Sequence, residues 1–319
     1  MKIHSLITAS SLFFCLLTPS WAASHAYITN QGSSNVSVID TRTREVVATI
    51  AVDKSPVGVA ASSELGRVYI SSVDGQSVSV IDSKTYRVID KLPINGSPVG
   101  LALSPDNTVL YVADWFEDRV IAIDTKDTSK QREVAIGKAP AGLVVSPDGQ
   151  RLFVANRDSN DVAVIDTQEL KVLNRINVGT HPFGIALSPD GSQLYSVNVY
   201  ADSISVVDTK TYETSTIAVG EHPYCVTSSP DGKRIYVSNT QGDSVSVINA
   251  SSKQVIATVD VGGFPEGISY DNATQSIYVA NWFDGSVSVI DASSNKLVAS
   301  ITTGSKSRAF GQFIIETAH

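Results

Sequence analysis

The sequence predicts an all-β chain folded as a seven-bladed β-propeller, with four antiparallel strands per blade, and three observations predict it. The phrase Val-Ser-Val-Ile-Asp, or a close variant, recurs along the chain and ends at Asp40, Asp82, Asp124, Asp166, Asp208, Asn249 and Asp291. Successive spacings are 42, 42, 42, 42, 41 and 42 residues. Within each unit the apolar residues alternate with period two, as at Val36 and Val38 or Val287 and Val289, which is the period of a strand and not of a helix. Each unit also carries fixed punctuation: an aromatic (Tyr27, Tyr69, Tyr111, Phe153, Tyr195, Tyr236, Tyr278) and a proline (Pro56, Pro98, Pro140, Pro182, Pro223, Pro265). Four short strands repeated every 40-odd residues are the signature of propeller blades.

The elements follow in chain order. Lys2 precedes an apolar run over 6–17 that is too short to span a bilayer, which needs about 20 helical residues. Pro19 breaks the run, and Ser20-Trp21-Ala22 offers small residues at a cleavage site, so residues 1–22 read as a secretory signal peptide cut after Ala22. The mature chain is therefore expected to be exported, in the periplasm, with no transmembrane segment. Its removal takes away Lys2 and no acid, moving the formal charge from −8 to −9, and takes away Cys15, leaving Cys225 alone. Residues 23–319 are then a single propeller domain, because seven units of this length leave no room for a second one.

Inside a unit, an innermost strand follows the proline (182–188), a second carries the aromatic (193–198), and a third is the recurring phrase (203–208). The fourth is exemplified by 46–50. Ser-Pro-Asp-Gly at 146–149, 188–191 and 229–232 supplies the tight turns, with Pro and Gly where such turns need them. The chain enters at a second strand (25–30) and leaves at an innermost one (310–315). The last strand is thus expected to complete the first blade and close the ring, leaving no open seam.

The units, with tetrapeptides such as Tyr111-Val112-Ala113-Asp114 and Tyr278-Val279-Ala280-Asn281, resemble the YVTN-repeat (YncE-like) propeller family over essentially the whole mature chain. That resemblance implies the fold and an exported protein. It does not imply one activity, because related propellers include lactonases, lyases, domains of haem or metal enzymes, and binding modules.

Composition narrows the choice. Lys and Arg total 24 against 32 Asp and Glu, which disfavours a nucleic-acid partner. Two cysteines exclude a disulfide scaffold and a cysteine-based zinc ribbon. No Rossmann, P-loop, zincin, nucleophile-elbow or Cys-x-x-Cys motif is present. Function is therefore sought where blades depart from the repeat. The residue after each proline reads Val57, Val99, Ala141, Phe183, Tyr224 and Glu266 around the ring, with Arg308 in the closing unit. Two of the preceding loop residues are His181 and His222.

His181, His222 and Glu266 are candidate ligands for a divalent metal, and with Arg308 they are candidate catalytic groups, a histidine serving as base. The plain reading is that the histidines are inherited duplicates and that Glu266 and Arg308 form a cross-blade ion pair. The loops between second and third strands add Asp114, Trp115, Phe116, Arg157, Tyr200, Trp282 and Phe283 as candidate ligand- or partner-binding residues at one mouth of the channel. The reading of the whole is a monomeric binding or scaffold module for a small molecule, a metal or an exported protein partner. The alternatives are a lactonase- or lyase-like enzyme and an accessory protein of an exported metal or cofactor enzyme.

Overall fold

A computed structural model describes residues 23–317. Seven β-sheets radiate around a central channel, and each blade holds four antiparallel strands. The innermost strands of blades 2 to 7 are Pro56–Ser62, Pro98–Leu103, Pro140–Val145, Pro182–Leu187, Pro223–Ser228 and Pro265–Asp271. Each begins at the repeat's proline, where the missing N–H costs no ladder bond. The segment proposed as a signal peptide lies outside the described residues. No helix among the described residues is long and apolar enough to cross a membrane.

The repeated residues hold the blades. All seven aromatics of the second strands are buried between blades. The Tyr278 hydroxyl donates to the Thr41 carbonyl at 2.8 Å, tying blade 7 to blade 1, and burial raises the phenols of Tyr27 and Tyr278 well above the ordinary range. The Asp, or in blade 6 Asn249, ending each third strand caps the following turn. Asp40 Oδ1 accepts from the amides of Arg42 and Thr43 at 2.9 and 2.8 Å, and Asp208 does the same for Lys210 and Thr211. Hydrogen bonds of this kind to Ser293 and Ser294 lower the Asp291 carboxyl to about 2. In the Ser-Pro-Asp-Gly turns, Gly149, Gly191 and Gly232 sit at φ of 73°, 71° and 69°, the left-handed region that favours glycine.

Ring closure occurs as expected: Ile314–Thr317 pairs antiparallel with Ala23–Asn30 and completes blade 1. The expected single strand over 310–315 is interrupted, however. Asn30 bridges Ser307, and Ala26 pairs with Ile314, so the chain between them is longer than the facing strand requires. The surplus leaves the sheet as a bulge with Gly311 at φ 95°. Phe310–Gln312 then enters the channel and pairs in parallel with Pro56–Ser62 of blade 2.

Candidate functional site

The two irregular loop classes do lie on one face, bound to each other. The amides of Trp115, Arg157, Val199, Thr240 and Trp282, which follow second strands, donate to the carbonyls of Ser97, Ala139, His181, His222 and Phe264, which precede innermost strands. The preceding residues are held on their other side too. His181 N donates to Asn160 Oδ1 at 2.8 Å and His222 N to Asp202 Oδ1 at 2.9 Å, with both histidines in the left-handed region at φ 53° and 49°. The backbone that presents these imidazoles is thus fixed by side chains of the preceding blade. Ala139 and Phe264 are held the same way, so the posture belongs to the repeat and only the side chain is special.

At the centre of this face the channel is plugged. The Phe183 ring centroid lies 4.2 Å from Tyr224 and 5.1 Å from Phe310, and Tyr224 lies 5.4 Å from Phe310. Trp115 joins at 5.9 Å from Phe183. Such offset and edge contacts stabilise aromatic clusters beyond simple burial. Phe310 reaches the cluster only because of the C-terminal bulge. Sequence reading placed Phe183 and Tyr224 on the ring but left Phe310 inside an ordinary strand, and Gly311 beside it was the one available signal.

Against the plug sits a buried ion pair. Arg308 Nε and Nη2 donate to Glu266 Oε2 and Oε1 at 2.6 and 2.9 Å, a bidentate fork. The Arg308 guanidinium also lies 5.3 Å from the Phe310 ring centroid. Burial pushes the Glu266 carboxyl up, and the facing guanidinium opposes that shift. The Tyr224 phenol is also raised, by burial first and then by the Glu266 charge.

Beside the plug runs a second constellation. Arg157 Cζ lies 5.8 Å from the ring centroids of both Trp115 and Tyr200, a double cation–π contact, while its Nη1 donates to Asp158 at 2.6 Å. Tyr200 contacts both imidazoles, with centroids 4.5 Å from His181 and 5.3 Å from His222. His181 Nε2 lies 4.0 Å from Asp158, and His222 Nδ1 lies 4.0 Å from Asp202.

The remaining candidates are placed elsewhere. Asp114 is fully buried, accepts from Arg119 Nε at 3.0 Å and from the Ser97 amide at 2.7 Å, and so does a structural task. Trp282 and Phe283 form a separate patch on blades 7 and 1 with Phe264 and Lys306, whose Nζ lies 5.1 Å from the Trp282 ring. Phe116 and Phe283 are the most exposed large apolar side chains among the described residues, each at 73%. The expected single pocket is therefore two patches. Among the described residues no three His, Cys, Asp or Glu side chains are placed to hold one metal ion. The expected His181–His222–Glu266 set is not brought together, because Tyr200 packs on both imidazoles and Glu266 is spent on Arg308.

Comparison with known proteins bears on this geometry. The model of the lactonase family of seven-bladed β-propellers matches residues 19–178, 101–211 and 207–309. The chain belongs to that family. No curated protein matches the sequence. Among solved structures, this lactonase-family chain is similar to hydrazine synthase of Kuenenia stuttgartiensis, with a TM-score of 0.76 and 20% identity over 83% of this chain and 91% of the other. A functionally unknown protein from Desulfotomaculum acetoxidans gives a TM-score of 0.80 at 16% identity, over 92% of this chain and 99% of the other. Dihydro-haem d1 dehydrogenase NirN in complex with DHE gives 0.68 at 15% identity, over 90% and 74%. At these identities the likeness concerns the fold alone.

Proposed function

We propose that this lactonase-family propeller is an exported, periplasmic binding module of the YVTN-repeat type, and that its ligand site is the crevice between Arg157, Tyr200, the two histidines and the aromatic plug. The observation that carries this reading is the pairing of two arginines with stacked rings at one channel mouth. Arg157 lies between Trp115 and Tyr200, and Arg308 lies on Phe310. Planar cations over aromatic faces recognise small π-rich or anionic groups. The exposed Phe116 and, in the separate patch, Phe283 supply apolar surface for an exported protein partner.

Native mass spectrometry of mature protein taken from its exported compartment tests this. The expected result is one stoichiometric adduct that disappears in the His181→Ala, His222→Ala double variant while the melting temperature holds. A bare mass from the unaltered protein sinks the small-ligand reading and leaves the protein-partner surface.

A hydrolytic reading has two observations in its favour, the family match and the two His–Asp pairs at 4.0 Å, which must shorten to hydrogen-bond length before either carboxylate orients its imidazole as a general base. It requires turnover of a simple lactone that either single histidine variant abolishes.

A further inference from the structure

Below the aromatic plug the channel continues as a cavity of about 540 Å³, bounded by innermost strands and by Phe310–Gln312. Phe183 and Phe310 form its end, and none of Trp115, Tyr224, Glu266 or Arg308 borders it. Its other end reaches Ser104, Pro105, Pro147 and Pro230 of the turns that leave the innermost strands. The cavity therefore opens on the face opposite the histidines and arginines, and is closed on theirs. In propellers built wholly of small residues the channel would run through; here the C-terminal bulge makes it blind.

The wall has two halves. Blades 2 to 5 contribute mainly apolar side chains such as Leu103, Val145 and Leu187, with Asn107 at the open end, whereas blades 6 and 7 and the C-terminal segment set Ser228, Tyr270 and Gln312 beside Val226 and Ile268. Among the described residues no charged side chain borders the cavity. A charged guest would lose much of its hydration with no opposite charge to replace it. An apolar body against the first half, with hydrogen-bonding groups along one edge toward the second, meets no such penalty. The volume falls in the range of about 300–1,000 Å³ that holds small organic ligands.

We propose that this blind channel is a second binding site, separate from the crevice above the plug, for an uncharged and largely apolar small molecule. Its guest enters from the turn face and stops at Phe183 and Phe310. Nothing in this reading depends on what the crevice binds.

The test uses the full mature chain and N-phenyl-1-naphthylamine, a neutral probe whose fluorescence rises in apolar surroundings. Saturable binding of one probe per chain is expected. Leu103→Trp and Leu187→Trp should each weaken it about tenfold or more by filling the cavity, while Tyr200→Ala and His222→Ala on the other face leave it unchanged. Should a tryptophan variant fail to fold, hydrogen exchange on the unaltered chain decides. The probe must then protect amides of Pro98–Leu103 and Pro182–Leu187 and not those of the loops carrying Trp115 and Tyr200. No saturable binding, binding indifferent to both channel substitutions, or protection confined to the opposite loops would overturn the proposal.

Discussion

Single residues here are constrained by what burial does to charge. Glu266 and Arg308 are both removed from most of the solvent and satisfy each other in a fork. Removing one member strands the other, which costs about 3–5 kcal/mol, whereas replacing both by apolar residues is often close to neutral. Arg308→Met alone should therefore lower the unfolding free energy by about that amount, and adding Glu266→Leu should restore most of it. Denaturant titration of the three proteins measures this. A double variant no more stable than the single one would mean that the pair carries more than its own charges.

His25 offers a residue-scale test in pH. Its Nε2 lies 3.0 Å from the Tyr86 hydroxyl, and its Nδ1 is buried without a partner among the described residues. Burial lowers its pKa below 6.5, against a weaker opposing pull from Asp40. Between the lowered folded pKa and the unfolded one the unfolded chain binds more protons than the folded one, so stability falls as pH drops below about 6.5 and is intact above it. His25→Gln keeps a polar group at the site and removes the titration. The unfolding midpoint of the variant should change less between pH 7 and pH 5 than that of the parent.

At the scale of the strand, the innermost elements are set by how closely neighbouring blades approach. A Cβ at Gly100 would stand 2.0 Å from the Ala141 carbonyl oxygen, and one at Gly58 would stand 2.1 Å from that of Val99. Both obstacles are backbone, which cannot swing away. Cys225 fills the equivalent slot in blade 6 with a buried thiol, whose pKa burial raises, so it is a small packing residue there and no thiolate. Gly100→Ala should cost at least about 1–3 kcal/mol by overpacking, while Cys225→Ala should cost less than a core deletion. Comparable melting temperatures for the two variants would contradict the close-approach account. This contrast was legible in sequence only as an oddity, because the distance between blades is not a property of any one repeat.

For the whole molecule, closure is what joins seven similar sheets into one cooperative body. Phe313 is fully buried in the cluster shared by the strands of blade 1 and the chain's last segment, and Ile314–Thr317 completes that blade's sheet. Truncation after Lys306 removes the inner strand of blade 1 together with Phe310, and so opens both the ring and the plug. Its thermal unfolding should be broader and begin at least about 10 °C lower, since repeat arrays without closure lose cooperativity. A sharp transition at the parent temperature would show that the other blades suffice.

The amino-acid pattern by itself determined the blade number, the strand order, the turn chemistry and the splice of the two chain ends. Each of these is written locally, in a two-residue period, a Pro-Asp-Gly turn or a capping acid, and each recurs often enough to average out exceptions. It also pointed to the face where irregular residues gather. Only the tertiary structure decided which of those residues meet. Asp114 went into the interior because Arg119 lies opposite it, Trp282 was separated from Trp115 by the ring, and Tyr200 came between two histidines and any shared cation. The C-terminal bulge sent Phe310 across the channel to close it. These outcomes depend on distances between blades far apart in sequence, and a periodic pattern carries no record of such distances.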